Sequence, residues 1–352
     1  MIGSTLKVPP RSYFFTPGHP LNTAANAPPS TAGLLYSLAG HIIWGLMPLY
    51  VWAVVEVPAF ELLAHRIIWS ALMLGILVVA MGRSRLAWQY VRDPRTRRYL
   101  AVSTTLIGLN WFVFLYAVLS KQVLQTSLGY FIGPLVNVAL GVIVLGERLR
   151  PAQKVALVLA AAGVAAPLMA GTGFPWIALT LAFAFGIYGL CRKKAGVDGL
   201  TGTTIEAVSL LPAAVGFAIW VATHEGLYFW NKGLGWSLLL IAAGPVVATP
   251  LLCYSLAVRR LKLSTLGFMQ YLTPSMSFLL AVFVLGEEFT TDKKICFGFI
   301  WSALAVFTWD LTRSRRENRA RRASEADVLL ARAAGSQDAV KSGGSPSAAP
   351  RP

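Results

Sequence analysis

The sequence predicts an all-α integral membrane protein of about ten transmembrane helices, built as two inverted five-helix repeats. Three observations predict it. The chain is 56% hydrophobic and only 13% charged, with a mean hydropathy of +0.61, more apolar surface than a soluble domain of this size can bury. Several windows of about 20 residues, the length that crosses a bilayer core, are nearly free of charge. A pattern also recurs about 140 residues apart: Pro134 leads an apolar run into Leu145-Gly146-Glu147, and Pro274 leads another into Leu285-Gly286-Glu287. Ala117-Val118 answers Ala257-Val258, Leu128-Gly129-Tyr130 answers Leu266-Gly267-Phe268, and Trp44-Gly45-Leu46 is echoed by Tyr188-Gly189-Leu190.

Taken in order, the apolar windows predict spans at 31–54, 59–81, 99–119, 124–145, 152–170, 175–191, 203–222, 234–258, 264–285 and 291–312. Gly and Pro inside them are compatible with lipid-embedded helices. Residues 1–30, rich in Pro, Ala, Ser and Thr, lack the charged start and apolar core of a signal peptide and read as a flexible tail or as a start codon placed too early. Residues 31–170 form the first repeat and 175–312 the second. Residues 313–352 read as a basic, disordered tail. Cys191, Cys253 and Cys296 are far apart, form no Cys-x-x-Cys, and read as small hydrophobes.

Charge sets the predicted orientation. With the N-terminus cytoplasmic, 26 Lys and Arg residues fall on inner segments and only Lys121, Lys232, Lys293 and Lys294 on outer ones, leaving Arg66 within a span. Both termini are then cytoplasmic. Five helices per half invert the second half, and the motif surroundings follow suit. Arg148 and Arg150 follow Glu147, whereas Glu288 and Asp292 follow Glu287. The net charge of +16 therefore marks membrane topology rather than nucleic-acid binding, because the basic residues lie between apolar windows and in the tail.

Ionisable residues inside a span are costly unless paired, so each is a candidate site residue. Glu61 and His65 are four apart and share a helical face. Arg66 lies about 100° around from His65 and roughly 10 Å below the outer helix end. There it can pair with Glu61 or hold an anionic group of a substrate. The alternative is an outer-end salt bridge with a snorkelling arginine. Glu206 matches Glu61 in the second repeat and reads as a gate or proton carrier, or as a carboxylate paired to Arg192 or Lys193. His41, with Trp44 one turn on, is a candidate for substrate or proton contact, or a neutral histidine bonded to a backbone carbonyl. Asn110, Trp111, Tyr130, Asn137, Tyr188, Tyr254, Gln270 and Tyr271 complete the candidate lining, an aromatic wall with a few amides that suits organic solutes. The alternative for these is interhelical bonding and packing. Gly129-x-x-x-Gly133-Pro134, with Gly267 and Pro274 in the second half, marks close helix packing at the repeat interface, with hinge motion as a secondary role.

No phosphate-binding G-x-x-x-x-G-K-[ST] loop and no H-E-x-x-H occurs. No cofactor and no metal is expected. Together, Ala64-His65-Arg66-Ile67-Ile68-Trp69-Ser70, Gly108-Leu109-Asn110-Trp111, Ser127-Leu128-Gly129-Tyr130-Phe131, Pro134-Leu135-Val136-Asn137, Leu145-Gly146-Glu147-Arg148, Tyr188-Gly189-Leu190, Arg192-Lys193-Lys194, Ile205-Glu206 and Leu263-Ser264-Thr265-Leu266-Gly267-Phe268 resemble the RarD group. That group belongs to the EamA branch of the drug/metabolite transporter superfamily. The resemblance covers about residues 31–312. It implies ten helices in the bacterial inner membrane and a central cavity lined mainly by helices 1–4 and 6–9.

The resulting expectation is a secondary transporter, a permease, exporter or exchanger moving a small organic metabolite or drug-like solute by alternating access, with proton coupling as a hypothesis. Its partners are a small-molecule substrate and the lipid bilayer, with no nucleic acid; a homodimer is compatible with the sequence. A membrane-embedded enzyme acting on a lipid or isoprenoid would need paired acids such as D-x-x-x-D, and none falls in the spans. A non-transporting scaffold or receptor is the third class.

Overall fold

The computed structural model describes residues 30–120, 122–170, 175–224, 226–284, 294–314, 316–317 and 324. The predicted N-terminal tail, most of the C-terminal tail and the second motif, Leu285-Gly286-Glu287, lie outside the described residues. Among those described, all regular structure is helical.

The chain opens with α1 (Thr31–Gly45), where Ser30 Oγ accepts the Gly33 amide at 3.4 Å. The predicted first span is in fact two helices. α1 ends at Leu46, and α2 (Met47–Ala53) restarts with Pro48 in its first turn. Proline has no N–H to continue the ladder but suits a helix start. α3 (Ala59–Ala80) follows Pro58. A short helix absent from the sequence reading, α4 (Ser84–Arg92), is strongly amphipathic and too short to span. α5 (Pro94–Leu119) starts five residues before the predicted boundary. Asp93 caps it by accepting the Thr96 amide at 2.8 Å, and Pro94 occupies the first turn.

α6 (Val123–Leu145) runs unbroken through Pro134 and ends at Gly146, whose left-handed backbone (φ 65°) turns the chain. α7 (Pro151–Ala170) and α8 (Trp176–Ala195) follow. α9 (Gly199–His224) begins four residues before its predicted start, because Asp198 accepts both the amide and the hydroxyl of Thr201 at 3.0 and 2.9 Å. α10 (Leu234–Val258) contains Pro245 and Pro250. The predicted ninth span is also divided, into α11 (Leu263–Gln270) and α12 (Leu272–Phe283), with the break at Tyr271. Pro274 frees the carbonyl of Gln270, four residues back. α13 covers Lys294–Ser314. Among the described residues, eight segments are long and apolar enough to cross a membrane: α1–α2 together, α3, α5, most of α6, α8, α9, α10 and α13.

Packing follows small residues. α3 lies against α9 and α10, α5 and α6 against α8, α1 against α10, and α6 against α11. At Gly244 on α10, a Cβ would lie 2.5 Å from the Trp69 carbonyl carbon, so glycine sets the α3–α10 spacing. α7 and α13 meet through Ala156, Ala160, Cys296, Ile300 and Ala303. The outer faces carry large apolar side chains such as Ile143, Val158 and Ile219, as lipid contact requires.

Ion pairs gather many turns at one end of the bundle. Arg83 and Arg259 reach Asp198 at 2.8 and 3.9 Å, Lys193 reaches the Leu261 carbonyl and Glu147, and Arg150 reaches Asp310 at 2.9 Å. Arg260 packs over Tyr36 on α1. Asp198 is the hub. Burial pushes its carboxyl up, but hydrogen bonds from Thr201 and Arg83 outweigh that and hold it below the usual carboxylate range. A lowered folded value means its stabilisation is fully present above the unfolded aspartate value of about 3.9 and is lost as pH falls through the folded value. Asp198→Asn is expected to lower stability at pH 7 by about 1 kcal/mol and to flatten the acid side of the profile, checked by thermal unfolding in detergent between pH 3 and 7.

Candidate functional site

Arg66 is the central feature. It projects from mid-α3 and is half-buried. Its guanidinium sits 5.5 Å over the Trp111 ring of α5. Among the described residues, its buried Nε has no hydrogen-bond partner. The phenols of Tyr50 on α2 and Tyr130 on α6 lie near it, and the Tyr50 hydroxyl donates to the Leu239 carbonyl at 3.1 Å. Among the described residues, no carboxylate lies within 4.0 Å of it. The Glu61 pairing allowed by the sequence does not form. Five residues along a helix is about 140° around it, so the two point apart.

Glu61 is fully buried and accepts the amides of Tyr228 and Phe229 at 3.0 and 2.8 Å, anchoring the segment between α9 and α10. His65 Nε2 is 3.8 Å from Glu61, its Nδ1 accepts the Trp69 indole N–H at 2.9 Å, and its ring packs on Phe229. These two therefore brace the end of the bundle opposite Asp198. Tyr130 is 50% exposed. Gly133, one turn on, is buried, and a Cβ there would meet Gln270 Nε2 at 3.9 Å, an ordinary contact. Gly129 behaves differently, with a Cβ there 3.1 Å from the Ala178 carbonyl oxygen on α8. Gly267 packs on the Pro134 carbonyl in the same way, at 2.6 Å.

A second group is aromatic. Trp44, Phe185, Tyr188 and Tyr254 form a chain of ring contacts with centroids 4.9 to 6.1 Å apart, and His41 joins it edge-on to Trp44 at 5.6 Å. His41 Nδ1 lies 2.6 Å from the Ser37 carbonyl. That oxygen only accepts, so Nδ1 carries the proton and Nε2 of the neutral ring is an acceptor. Among the described residues, His41 Nε2 is buried without a hydrogen-bond partner, and the buried Tyr254 hydroxyl faces the side-chain amide of Asn137. The Tyr254 hydroxyl fits against Gly189, where a side chain would collide with it.

Other amides are committed to bracing. Asn110 donates to the Leu181 carbonyl at 3.0 Å, and Asn137 donates to Gln270 Oε1 at 2.5 Å, tying α5 to α8 and α6 to α11. Tyr271 turns away into the cluster with α7 and α13.

Glu206 is 1% exposed and accepts Ser103 Oγ at 2.5 Å and the Tyr188 hydroxyl at 3.2 Å. Arg192 Nη1 stands 3.5 Å away and is equally buried. Arg192 also donates to the Gly199 carbonyl and to Thr203, which continues to Ser255. The carboxylate thus pairs with Arg192, but inside the protein rather than at its surface. It borders a cavity of about 10 Å³, also lined by Ser70 and Trp111, barely the room one water needs. Sequence reasoning placed Arg192 in a basic inner loop, and its charge alone could not reveal that the α8–α9 turn folds over it.

Sequence reasoning also treated Glu147 only as a repeat marker. The left-handed Gly146 aims it at α11, where it accepts the Leu263 and Ser264 amides at 2.8 and 2.9 Å and Ser264 Oγ at 2.7 Å, with Lys193 Nζ 3.5 Å away. The carboxylate acts as a remote cap on that helix start. Glu147→Ala is expected to cost about 2 kcal/mol, since three donors lose their acceptor, and to lower the melting temperature of the purified protein. Unchanged melting would refute the cap.

The sequence profile of the EamA-like transporter family matches residues 31–168 and again residues 174–309. The chain belongs to the EamA-like transporter family. As an EamA protein it is similar to Protein RarD of Escherichia coli (strain K12), 46% identical over 288 residues, covering 81% of this chain and 96% of that one. It is also similar to an "Uncharacterized transporter" of Vibrio cholerae serotype O1, 45% identical over 282 residues, covering 79% and 92%. One solved crystal structure, 20% identical, superposes with a TM-score of 0.63 over 80% of this chain and 98% of its own, a likeness of fold alone. This EamA protein is a multi-pass membrane transporter of the RarD type.

Proposed function

We propose that this EamA protein is a secondary active transporter of a small organic metabolite or drug-like solute, working by alternating access. Arg66 carries the proposal. An unpaired cation half-buried within a span is costly, and a solute with an anionic group would relieve that cost. Trp111 and Tyr130 beside it offer apolar and phenolic surface to the rest of the solute, and the buried His41 Nε2 and Tyr254 hydroxyl supply further polar contacts. Glu206 is the group through which coupling to protons would run.

The scaffold in this proposal is ten helices in two inverted five-helix units, 31–170 and 175–312, in the bacterial inner membrane with both termini cytoplasmic. Counting α7 and the α11–α12 pair adds two crossings to the eight long ones. Exchanging the halves turns the α5–α8 contact into α10–α1 and the α3–α10 contact into α9–α5, and all four contacts occur. Such pairing supports two halves rocking about a shared site.

The test is flux in proteoliposomes, using solutes that raise the melting temperature of the purified protein. Saturable flux of such a solute is expected, altered by an imposed pH gradient; indifference to the gradient removes the proton coupling. Single cysteines at Arg148 and Glu288 should react with an impermeant reagent from opposite sides. Reaction from one side would end the inverted arrangement.

A further inference from the structure

α4 and the first turn of α5 form a basic elbow that none of the transport machinery uses. α4 is held down on one side, where Arg83 binds Asp198 and the Tyr90 hydroxyl accepts the Asp198 amide at 3.1 Å. Its other side is open. Trp88 is 58% exposed, with the Arg92 guanidinium 4.9 Å over its ring. α5 has 26 residues, about 39 Å at 1.5 Å per residue, against a hydrocarbon core of about 30 Å. The surplus puts its first turn, with exposed Arg95, Arg97 and Arg98, at headgroup depth.

Among the described residues, Arg85, Arg92, Arg95, Arg97 and Arg98 have no carboxylate within 4.0 Å. Other basic side chains at this end, Arg83, Arg150, Arg192 and Lys193, each have one. Among the described residues, the two acids against the elbow are already engaged. Asp198 is held by Arg83 and Arg259, and Asp93 accepts the Thr96 amide and lies near Arg95. Neither is within ion-pair distance of the five exposed guanidinium groups.

We infer that the α4–α5 elbow is a binding site for the headgroups of anionic phospholipids in the leaflet at this end of the bundle. The guanidinium fork matches the two unesterified oxygens of a phosphodiester, and a tryptophan is at home at the boundary between headgroups and chains. A free phosphate would use the same arginines but would have no use for Trp88, so the lipid is the occupant that fits both. Bound lipid would hold α4 flat on the membrane and steady the turn between α3 and α5.

The test is native mass spectrometry of the full-length protein in detergent with added phosphatidylglycerol or phosphatidylcholine. Wild type should keep phosphatidylglycerol preferentially, and R85Q/R92Q/R95Q/R97Q/R98Q should retain at least about fivefold less of it while melting normally in phosphatidylcholine. Equal retention of the two lipids by wild type, or unchanged phosphatidylglycerol retention by the variant, overturns the site. Should the fivefold variant fail to fold, R97Q/R98Q carries the same criterion, with an expected drop of about twofold. Displacement of the bound lipid by inorganic phosphate alone would also overturn it.

Discussion

Arg66→Ala is expected to reduce solute flux in proteoliposomes about 100-fold while leaving the melting temperature of the empty protein unchanged or slightly raised. The flux loss corresponds to about 2.7 kcal/mol, the scale of a charge-assisted pair in a site shielded from water. The stability expectation has the opposite sign because, among the described residues, the guanidinium has no carboxylate partner to abandon, so its removal takes away an uncompensated charge. Arg66→Lys keeps the charge but loses the planar fork and the stacking over Trp111. It should recover about tenfold of the lost flux. Wild-type flux in a normally melting Arg66→Ala protein would place the solute path elsewhere and remove the main support for an anionic contact.

For Glu206→Ala the order is reversed, with stability suffering first. Removing the carboxylate leaves Arg192 buried with no counter-charge, and Ser103 and Tyr188 without their acceptor. Breaking one side of a buried ion pair costs about 3–5 kcal/mol. Glu206→Gln should be milder, since the amide oxygen still accepts from Ser103. Glu206→Leu combined with Arg192→Met should be more stable than Glu206→Ala, because no charge remains to be buried. Unfolding of the purified proteins in one detergent checks the series. A Glu206→Ala protein as stable as wild type would mean that Arg192 is hydrated and the network is not sealed.

Which prolines end a helix was only partly legible. Pro48 and Pro274 coincide with breaks, yet Pro134, Pro245 and Pro250 sit in unbroken helices. All five remove the same backbone donor. At Pro134 the unbroken helix is backed by Gly267, which packs closely on the Pro134 carbonyl, a contact between segments far apart in the chain. The α5 start was readable in Asp93-Pro94, a capping residue before a first-turn proline. The arginines that follow lower the hydropathy of that window, so an apolar span begins only at residue 99. α4 escaped for a related reason, since a nine-residue amphipathic helix leaves no trace in a search for apolar spans.

The candidate site divides the same way. The sequence allowed Glu61 and Arg66 to pair because they lie five residues apart on one helix, but that spacing is about 140° around it, and Glu61 is taken by the Tyr228 and Phe229 amides. Glu147 gave no local hint that its partners lie more than a hundred residues away at the start of α11. The helical membrane character, the duplication and the RarD-type kinship were determined by the sequence alone, because transfer of a segment into lipid is a sum over its own residues and a repeated pattern needs no third dimension to be seen. Which carboxylates are spent on backbone amides, which cations are matched and which is left over was decided only in the tertiary structure. A polar group's partner depends on which helices touch and at what rotation, and that is set by small residues such as Gly244, Gly129 and Gly267 acting between segments distant in the chain.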